Sequence, residues 1–267
     1  MESQPWSRLT TRVLAPNPGP MTLDGTNTYV LRAPGADAAV VVDPGPEVSE
    51  HLDRIEALGP VELILLTHHH ADHVEAAPAL AARTGATVRA MEPTLCIDAP
   101  PLRDDEEIDA GGTRIVVLAT PGHTSDSVCF HLPDDGALDS AEPIGSVLTG
   151  DTILGRGTTI LAQAEGALHD YLASLERLRD LPRAQLVLPA HGPKLPNLRT
   201  IAGRYHGHRH LRLIEIQRAL KSLGAEPSRD AQVVSQVTDI VYAGLNPAVR
   251  FAAEASTAAH LEYLVGR

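Results

Sequence analysis

An apolar run, Val61-Glu62-Leu63-Ile64-Leu65-Leu66, leads directly into Thr67-His68-His69-His70-Ala71-Asp72-His73. A run of that composition reads as a buried strand, and it has to end where the imidazoles and the carboxylate begin, because unpaired polar groups are costly inside a sheet. Residues 72–83 then read as a helix, with the Asp72 side chain capping its first free amides. The histidines therefore sit at a strand-to-helix junction. That junction constrains the chain to layered α/β structure, with sheets covered by helices.

The remaining pattern agrees. Strands are expected over residues 28–31, 38–42, 61–66, 87–90, 113–118, 128–132, 146–149 and 185–188, and helices over 49–58, 72–83 and 167–179. Asp43-Pro44-Gly45-Pro46 stops the second strand sharply. The order divides into two comparable halves, ending near Arg114 and Gly192, without a clean internal repeat. From about Thr200 the pattern is helical only, over 201–220, 231–242 and 247–264. Residues 1–199 are expected to form the main domain and 200–267 a small helical appendage.

The chain has 267 residues, 43% of them apolar, enough for a sizeable core. Its formal charge of −12 disfavours charge-driven binding of long nucleic acids. Lys194, Arg199, Arg204, Arg209, Arg212 and Arg218, with His206, His208 and His210 among them, come nearest to a basic patch. A solvated helix surface explains them as well. Two cysteines make no disulfide framework, and the first twenty residues lack the charged start and apolar stretch of an export signal. A cytoplasmic location is expected, with no membrane-spanning helix.

His68 and His70 stand at i and i+2, so at a strand end they share a side and can grip one metal ion, while Asp72 and His73 reach a second. His69 has the opposite parity and points away. Further candidates recur in the same setting: His123 after Ala119-Thr120-Pro121-Gly122, Asp151 after Gly150, and His191 in Pro189-Ala190-His191-Gly192. A lone histidine beside such a turn is ordinarily a hydrogen-bonded loop residue. Repeated placement of ligating residues at strand ends is not explained by composition.

These motifs resemble the metallo-beta-lactamase-fold hydrolase superfamily, whose first motif is His-x-His-x-Asp-His. It reads here His68-His69-His70-Ala71-Asp72-His73, and later motifs match as Pro121-Gly122-His123-Thr124, Gly150-Asp151-Thr152 and Ala190-His191-Gly192. Asn17-Pro18-Gly19-Pro20, Gly25-Thr26-Asn27-Thr28-Tyr29, Gly122 to Asp126, Gly150 to Gly155 and Gly157-Thr158-Thr159 extend the likeness to the beta-lactamase-like protein 2 subfamily. The resemblance implies a four-layer αββα sandwich with a C-terminal winged-helix-like domain. Because the sequence reaches Arg267 straight after its last helix, a full wing is not expected.

Carried over residue by residue, the resemblance implies two zinc ions per chain, with manganese or iron as alternatives allowed by the donor types. His68, His70 and His123 would hold one ion and Asp72, His73 and His191 the other, with Asp151 bridging. Asp72 and Asp151 are the expected catalytic carboxylates, Asp72 orienting the nucleophile and moving its proton. Asn27, Thr158 and Thr159 are candidates to line the pocket. Tyr205, His208 and Arg209 match the subfamily's Tyr-x-x-His-Arg segment and are expected at the active-site rim.

The subfamily's animal members are single-strand-directed endoribonucleases and its fungal relatives are thioesterases on carrier-bound polyketides. Two substrate classes follow: a short single-stranded RNA, or a small or carrier-bound acyl compound hydrolysed by thioesterase, esterase or lactonase chemistry. A beta-lactamase and a nucleic-acid-binding regulator with a structural metal are weaker readings. Homodimers are common among such hydrolases.

Overall fold

The computed structural model describes residues 3–139, 142–161, 167–182 and 184–266. Arg267, the last residue of the expected helical domain, lies outside them.

Two six-stranded sheets are built in sequence. The first runs in chain order through β1 (Gln4–Pro5), β2 (Thr10–Leu14), β3 (Asn27–Leu31), β4 (Ala39–Val42), β5 (Val61–Leu65) and β6 (Thr87–Arg89). The second runs through β7 (Glu107–Ala110), β8 (Thr113–Ala119), β9 (Val128–Leu132), β10 (Ser146–Gly150), β11 (Leu186–Pro189) and β12 (Leu195–Pro196). In each, an antiparallel meander is followed by a parallel pair, β4 with β5 and β10 with β11, and each parallel step crosses over through helix. That shared plan is the two-half organisation expected from the sequence. The division, however, falls between Arg89 and Glu107, so Arg114 belongs to the second sheet.

Alternation along the strands sorts side chains into layers. Tyr29, Leu31, Leu63 and Leu65 of the first sheet meet Val128, Phe130, Leu132 and Leu148 of the second in one buried cluster between the sheets. Val30, Val41 and Ile64 point the other way, onto Leu52 and Ile55 of α1 (Ser49–Glu56) and Leu80 of α3 (Ala77–Thr84). Cys129, Val147 and Val187 leave the second sheet to meet Leu168, Leu175 and Leu178 of α4 (Ala167–Asp180). The result is a four-layer αββα sandwich.

The expected helix over 72–83 is two helices, α2 (Ala71–Val74) and α3. Pro78 is the reason: inside a continuous helix its ring would clash with the carbonyl four residues back and it has no amide to donate, whereas near the start of α3 neither matters. Asp72 lies inside the first turn of α2 and makes no cap bond, leaving its carboxylate available elsewhere.

After β12 the described residues form helices only: α5 (Leu198–Leu223), α6 (Ala231–Val241) and α7 (Arg250–Val265). No strand pair that would make a wing is present among them. Leu198, Ile201, Ala202 and Tyr205 of α5 join the core outside the second sheet, while Ile216 and Leu220 pack with Val234, Val237 and Leu261 in a separate cluster. The long helix thus ties the helical region to the sandwich.

Candidate metal centre

Strands β4, β5, β8, β10 and β11 deliver their carboxyl ends to one edge of the sandwich, carrying Asp43, His68 to His70, His123, Asp151 and His191 respectively. The sheets are stitched together there: the Val128 amide donates to Thr67 O at 2.8 Å and the Asn27 amide to Ala190 O at 2.7 Å. Close backbone approach shapes two of the loops. Gly122 takes φ 138°, and a Cβ there would stand 2.6 Å from the Tyr171 Cα, so only glycine brings the loop bearing His123 so near α4. Gly150 takes φ 49° with its missing Cβ against Thr67, which sets Asp151 over the histidine run.

Three overlapping groups form with ligand atoms near enough to share an ion: His68, His70 and His123; His68, His73 and Asp151; and Asp72, His73 and His191. His70 Nδ1 lies 3.0 Å from His68 Nε2 and 3.1 Å from His123 Nε2. Asp151 Oδ2 is 3.6 Å from His123 Nε2, while its Oδ1 is 3.3 Å from His191 Nε2 and 3.8 Å from His73 Nε2. Asp151 therefore stands between the two sets. Asp72 Oδ2 is 3.2 Å from His191 Nε2 and 3.3 Å from His73 Nε2.

Whether these residues suit a metal is decided by where their outer nitrogens go. Asp43 accepts from the Thr67 amide at 2.8 Å, the Thr67 hydroxyl at 2.7 Å and His73 Nδ1 at 2.8 Å. Since the Thr67 proton is committed to Asp43, its oxygen accepts from His68 Nδ1 at 3.0 Å. His123 Nδ1 donates to Ile160 O at 2.7 Å and His191 Nδ1 to Gly25 O at 3.3 Å. In His68, His73, His123 and His191 the outer nitrogen is thereby a donor and Nε2 is turned inward, whereas His70 turns Nδ1 inward. His73 Nε2 and Asp151 Oδ1 are buried with no hydrogen-bond partner in the protein. Lone pairs gathered this closely repel unless a cation lies among them, so the donor set fits a divalent metal.

The electrostatics are asymmetric. Burial, with the neighbouring imidazoles of His73, His123 and His70, pushes His68 well below the usual histidine range, and burial with His123 pushes His70 down to about 4. Both imidazoles are thereby kept neutral, the form that can offer a lone pair to a metal. On the other side burial pulls His73 and His191 down, but the charge of Asp43 on His73 and of Asp151 on His191 prevails and raises both. Burial likewise works against the ionised Asp72, yet the imidazoles of His191 and His73 beside it hold its carboxyl well below the carboxylate range. This half of the site stabilises positive charge.

A cavity of about 640 Å³ opens onto the cluster. His70, Asp72, His123, Asp151 and His191 form its floor, His69, Thr124 and Ser125 lie beside them, and Met21, Ile160, Leu161, Phe251 and Ala255 complete it. His69 is held by Asp126 at 2.7 Å through Nδ1, outside the three groups, in keeping with its parity.

The remaining candidates lie outside the cavity lining. Asn27 Nδ2 donates to Pro189 O at 2.8 Å and Gly192 O at 2.9 Å, bracing the loop that bears His191. Thr158 is exposed, while Thr159 is buried with its hydroxyl 3.3 Å from His123 Nδ1. The Tyr205 hydroxyl lies 2.9 Å from Leu154 O and 3.1 Å from Gly157 O, and accepts from the Leu154 amide at 3.0 Å. Arg209 is 1% exposed, stacks over Tyr171 and donates from Nη2 to Thr159 O at 2.6 Å. His208 is half-buried and lowered by burial and Arg209. None of these six lines the cavity among the described residues.

The apparent basic patch is divided in the same way. Arg209 is internal, Arg212 pairs with Glu215, Arg199 with Asp180 and His206 with Glu176, and Lys194 donates to Trp6 O. Sequence reasoning missed Asp43, Asp126 and the apolar side of the cavity. Only Asp43 carried a signal, as a carboxylate ending a wholly apolar strand.

Residues 21–191 match the model of the metallo-beta-lactamase superfamily. The chain is 34% identical to a beta-lactamase-like protein 2 homolog of Caenorhabditis elegans, over 91% of this chain and 79% of that protein. It is 30% identical to the atrochrysone carboxyl ACP thioesterase of Passalora fulva, over 90% of this chain and 70% of that protein. A metallo-beta-lactamase family protein of Thermus thermophilus superposes with a TM-score of 0.74 at 25% identity, covering 96% of this chain and 92% of its own. No helix among the described residues is long and apolar enough to cross a membrane.

Proposed function

The chain belongs to the metallo-beta-lactamase superfamily, and from that premise we propose a dinuclear zinc hydrolase acting on the carbonyl of a thioester or related acyl compound. The observation that carries the substrate class is the cavity lining: beyond the histidines and aspartates it is mainly apolar, and no lysine or arginine is among the described residues that form it. A polyanionic RNA backbone needs cations along its path, whereas a thioester or ester does not. Similarity to a carrier-protein thioesterase supports the same class.

In this reading residues 1–199 carry the chemistry and 200–267 supply one wall of the cavity. His68, His70 and His123 would hold one zinc and Asp72, His73 and His191 the other, with Asp151 placed between the two sets, a nitrogen and oxygen donor set that suits zinc and also admits manganese or iron. When bound, the metal pair supplies an acidified water and a positive charge for the developing oxyanion. Asp72, steadied by the Thr26 hydroxyl at 3.2 Å, orients the nucleophile and takes its proton on a carboxylate oxygen. The leaving thiol or alcohol is then protonated from the same carboxylate, restoring it.

The test is hydrolysis of acyl N-acetylcysteamine thioesters by zinc-loaded protein, followed by thiol release, beside cleavage of an end-labelled single-stranded RNA, with Asp151→Ala as control in both. Thioester turnover that disappears in the variant is expected. RNA cleavage lost in the variant, with thioesters untouched, would establish the nuclease reading instead.

A further inference from the structure

The cavity has a second face whose chemistry the hydrolytic centre does not require. Phe251 and Ala255 stand four residues apart on α7, hence on one side of that helix. Ala255 is buried and small, which leaves depth beside Phe251, a residue 56% exposed. Across the opening Met21, on the loop between β2 and β3, is 44% exposed. Ile160 and Leu161 line the same cavity beside His123.

Leaving a phenyl ring and a thioether in water at the mouth of a catalytic cavity forgoes the stabilisation that burial would give. Met is unbranched and adapts its shape to what it touches. The wall is also held in register with the chemistry. Arg209 fixes Thr159 O, the next carbonyl, Ile160 O, accepts from His123 Nδ1, and the Ile160 and Leu161 side chains follow directly.

We propose that Phe251 and Met21 are specificity-determining residues that clasp the hydrocarbon part of the acyl group, with Ile160, Leu161 and Ala255 as the surface beneath it. The proposal rests on the acyl reading above and adds that the natural acyl group is an extended apolar one, longer than acetyl. An aromatic ring at a cavity mouth is also a platform on which a nucleobase can stack. The absence of cations among the described lining residues favours the hydrocarbon.

The test measures binding separately from turnover. Ketone analogues of acyl N-acetylcysteamine, with a methylene in place of sulfur and acyl chains from acetyl to decanoyl, are titrated calorimetrically into zinc-loaded wild type, Phe251→Ser, Phe251→Leu and Met21→Ser. Wild-type affinity should rise roughly two- to fourfold per methylene until the wall is covered. Phe251→Ser should flatten that rise, weakening decanoyl binding roughly tenfold and acetyl binding much less, Met21→Ser should act in the same direction, and Phe251→Leu should restore most of the slope.

Thermal melting checks that the exposed substitutions leave the fold intact. A wild-type affinity independent of chain length, or a slope unchanged in both serine variants, overturns the proposal. Loss of oligoribonucleotide binding in Phe251→Ser without any chain-length slope overturns it in favour of base stacking. A slope that depends on Phe251 in a protein that hydrolyses no thioester would uphold the clasp and refute the hydrolytic reading alone.

Discussion

Replacing Asp43 by Asn should weaken zinc binding roughly 10- to 100-fold, the usual cost of removing a group that orients metal ligands. The substitution isolates charge from backbone, because Asp43 sits at φ 50° and Asn tolerates that left-handed conformation. Asp43 Oδ1 accepts from the Thr67 amide, and Oδ2 accepts from the Thr67 hydroxyl and His73 Nδ1. An amide offers one oxygen and one donating NH2. Whichever way it turns, NH2 faces at least one of those donors. The loss reaches both halves of the centre, directly at His73 and through the Thr67 hydroxyl at His68. In free energy the expected weakening is about 1.4–2.7 kcal/mol. One buried donor left unpaired adds about 1–3 kcal/mol of lost stability, and each of those kcal/mol lowers the melting temperature by about 2–4 °C. Competition against a chromophoric chelator reads the affinity, and melting of metal-free protein reads the fold. Zinc affinity within about twofold of wild type would refute the claim that Asp43 orients these ligands.

Arg209→Met should strip the donor from Thr159 O, costing about 1–3 kcal/mol and lowering kcat through the loosened support of His123; unchanged melting and turnover would refute the positioning role. Acid should destabilise the protein through His260, whose Nδ1 donates to Ser256 O, whose Nε2 is buried without a partner, and whose pKa burial and Arg209 hold down to about 3. Because the folded value lies below the unfolded one, about 6.5, full stability holds above that pH and is lost as pH falls towards 3, by about 2 kcal/mol at pH 5. Urea midpoints at pH 8 and pH 5 should differ less in His260→Met, and equal shifts in both proteins would count against the buried neutral histidine.

Much of the frame could be read from residue order. Buried strands such as β4 and β5 announce themselves by continuous apolar runs, and the histidine run lies at the carboxyl end of β5, as its abrupt change of polarity requires. Where periodicity was faint the reading failed. β7 has one buried apolar residue, Ile108, and β2 lies in a proline-rich lead, so neither was expected. The residues that gather into the three possible metal-binding groups were legible because each is a polar residue set after an apolar strand. Their supports were not, since the bonds from Arg209 to Thr159, 50 residues apart, and from Asn27 to Pro189, 162 apart, depend on topology that no local spacing encodes. Arg209 illustrates the limit: from the sequence it reads as a cation at the active-site rim or on a solvated helix surface, yet burial and stacking on Tyr171 make it the internal pin behind Thr159.

That pin explains why the helical region is not an ornament on the sandwich. The segment after β10 must place Thr159 and Ile160 against His123, but its described residues join no strand of either sheet. Its polar backbone is satisfied by the Gly155 amide donating to His191 O, by Tyr171 at Thr152 O and, from α5, by the Tyr205 hydroxyl at Leu154 and the Arg209 guanidinium at Thr159. The Tyr205 and Arg209 side chains can face this segment because they lie four residues apart on one side of α5. Arg209 Nη1 also approaches Ser256 Oγ on α7, at 3.5 Å, and α7 carries Phe251 and Ala255 into the cavity. One helix face therefore couples the ligand support, the loop behind it and the apolar wall in front of it. A change in the C-terminal helices should move substrate preference and the geometry of His123 together.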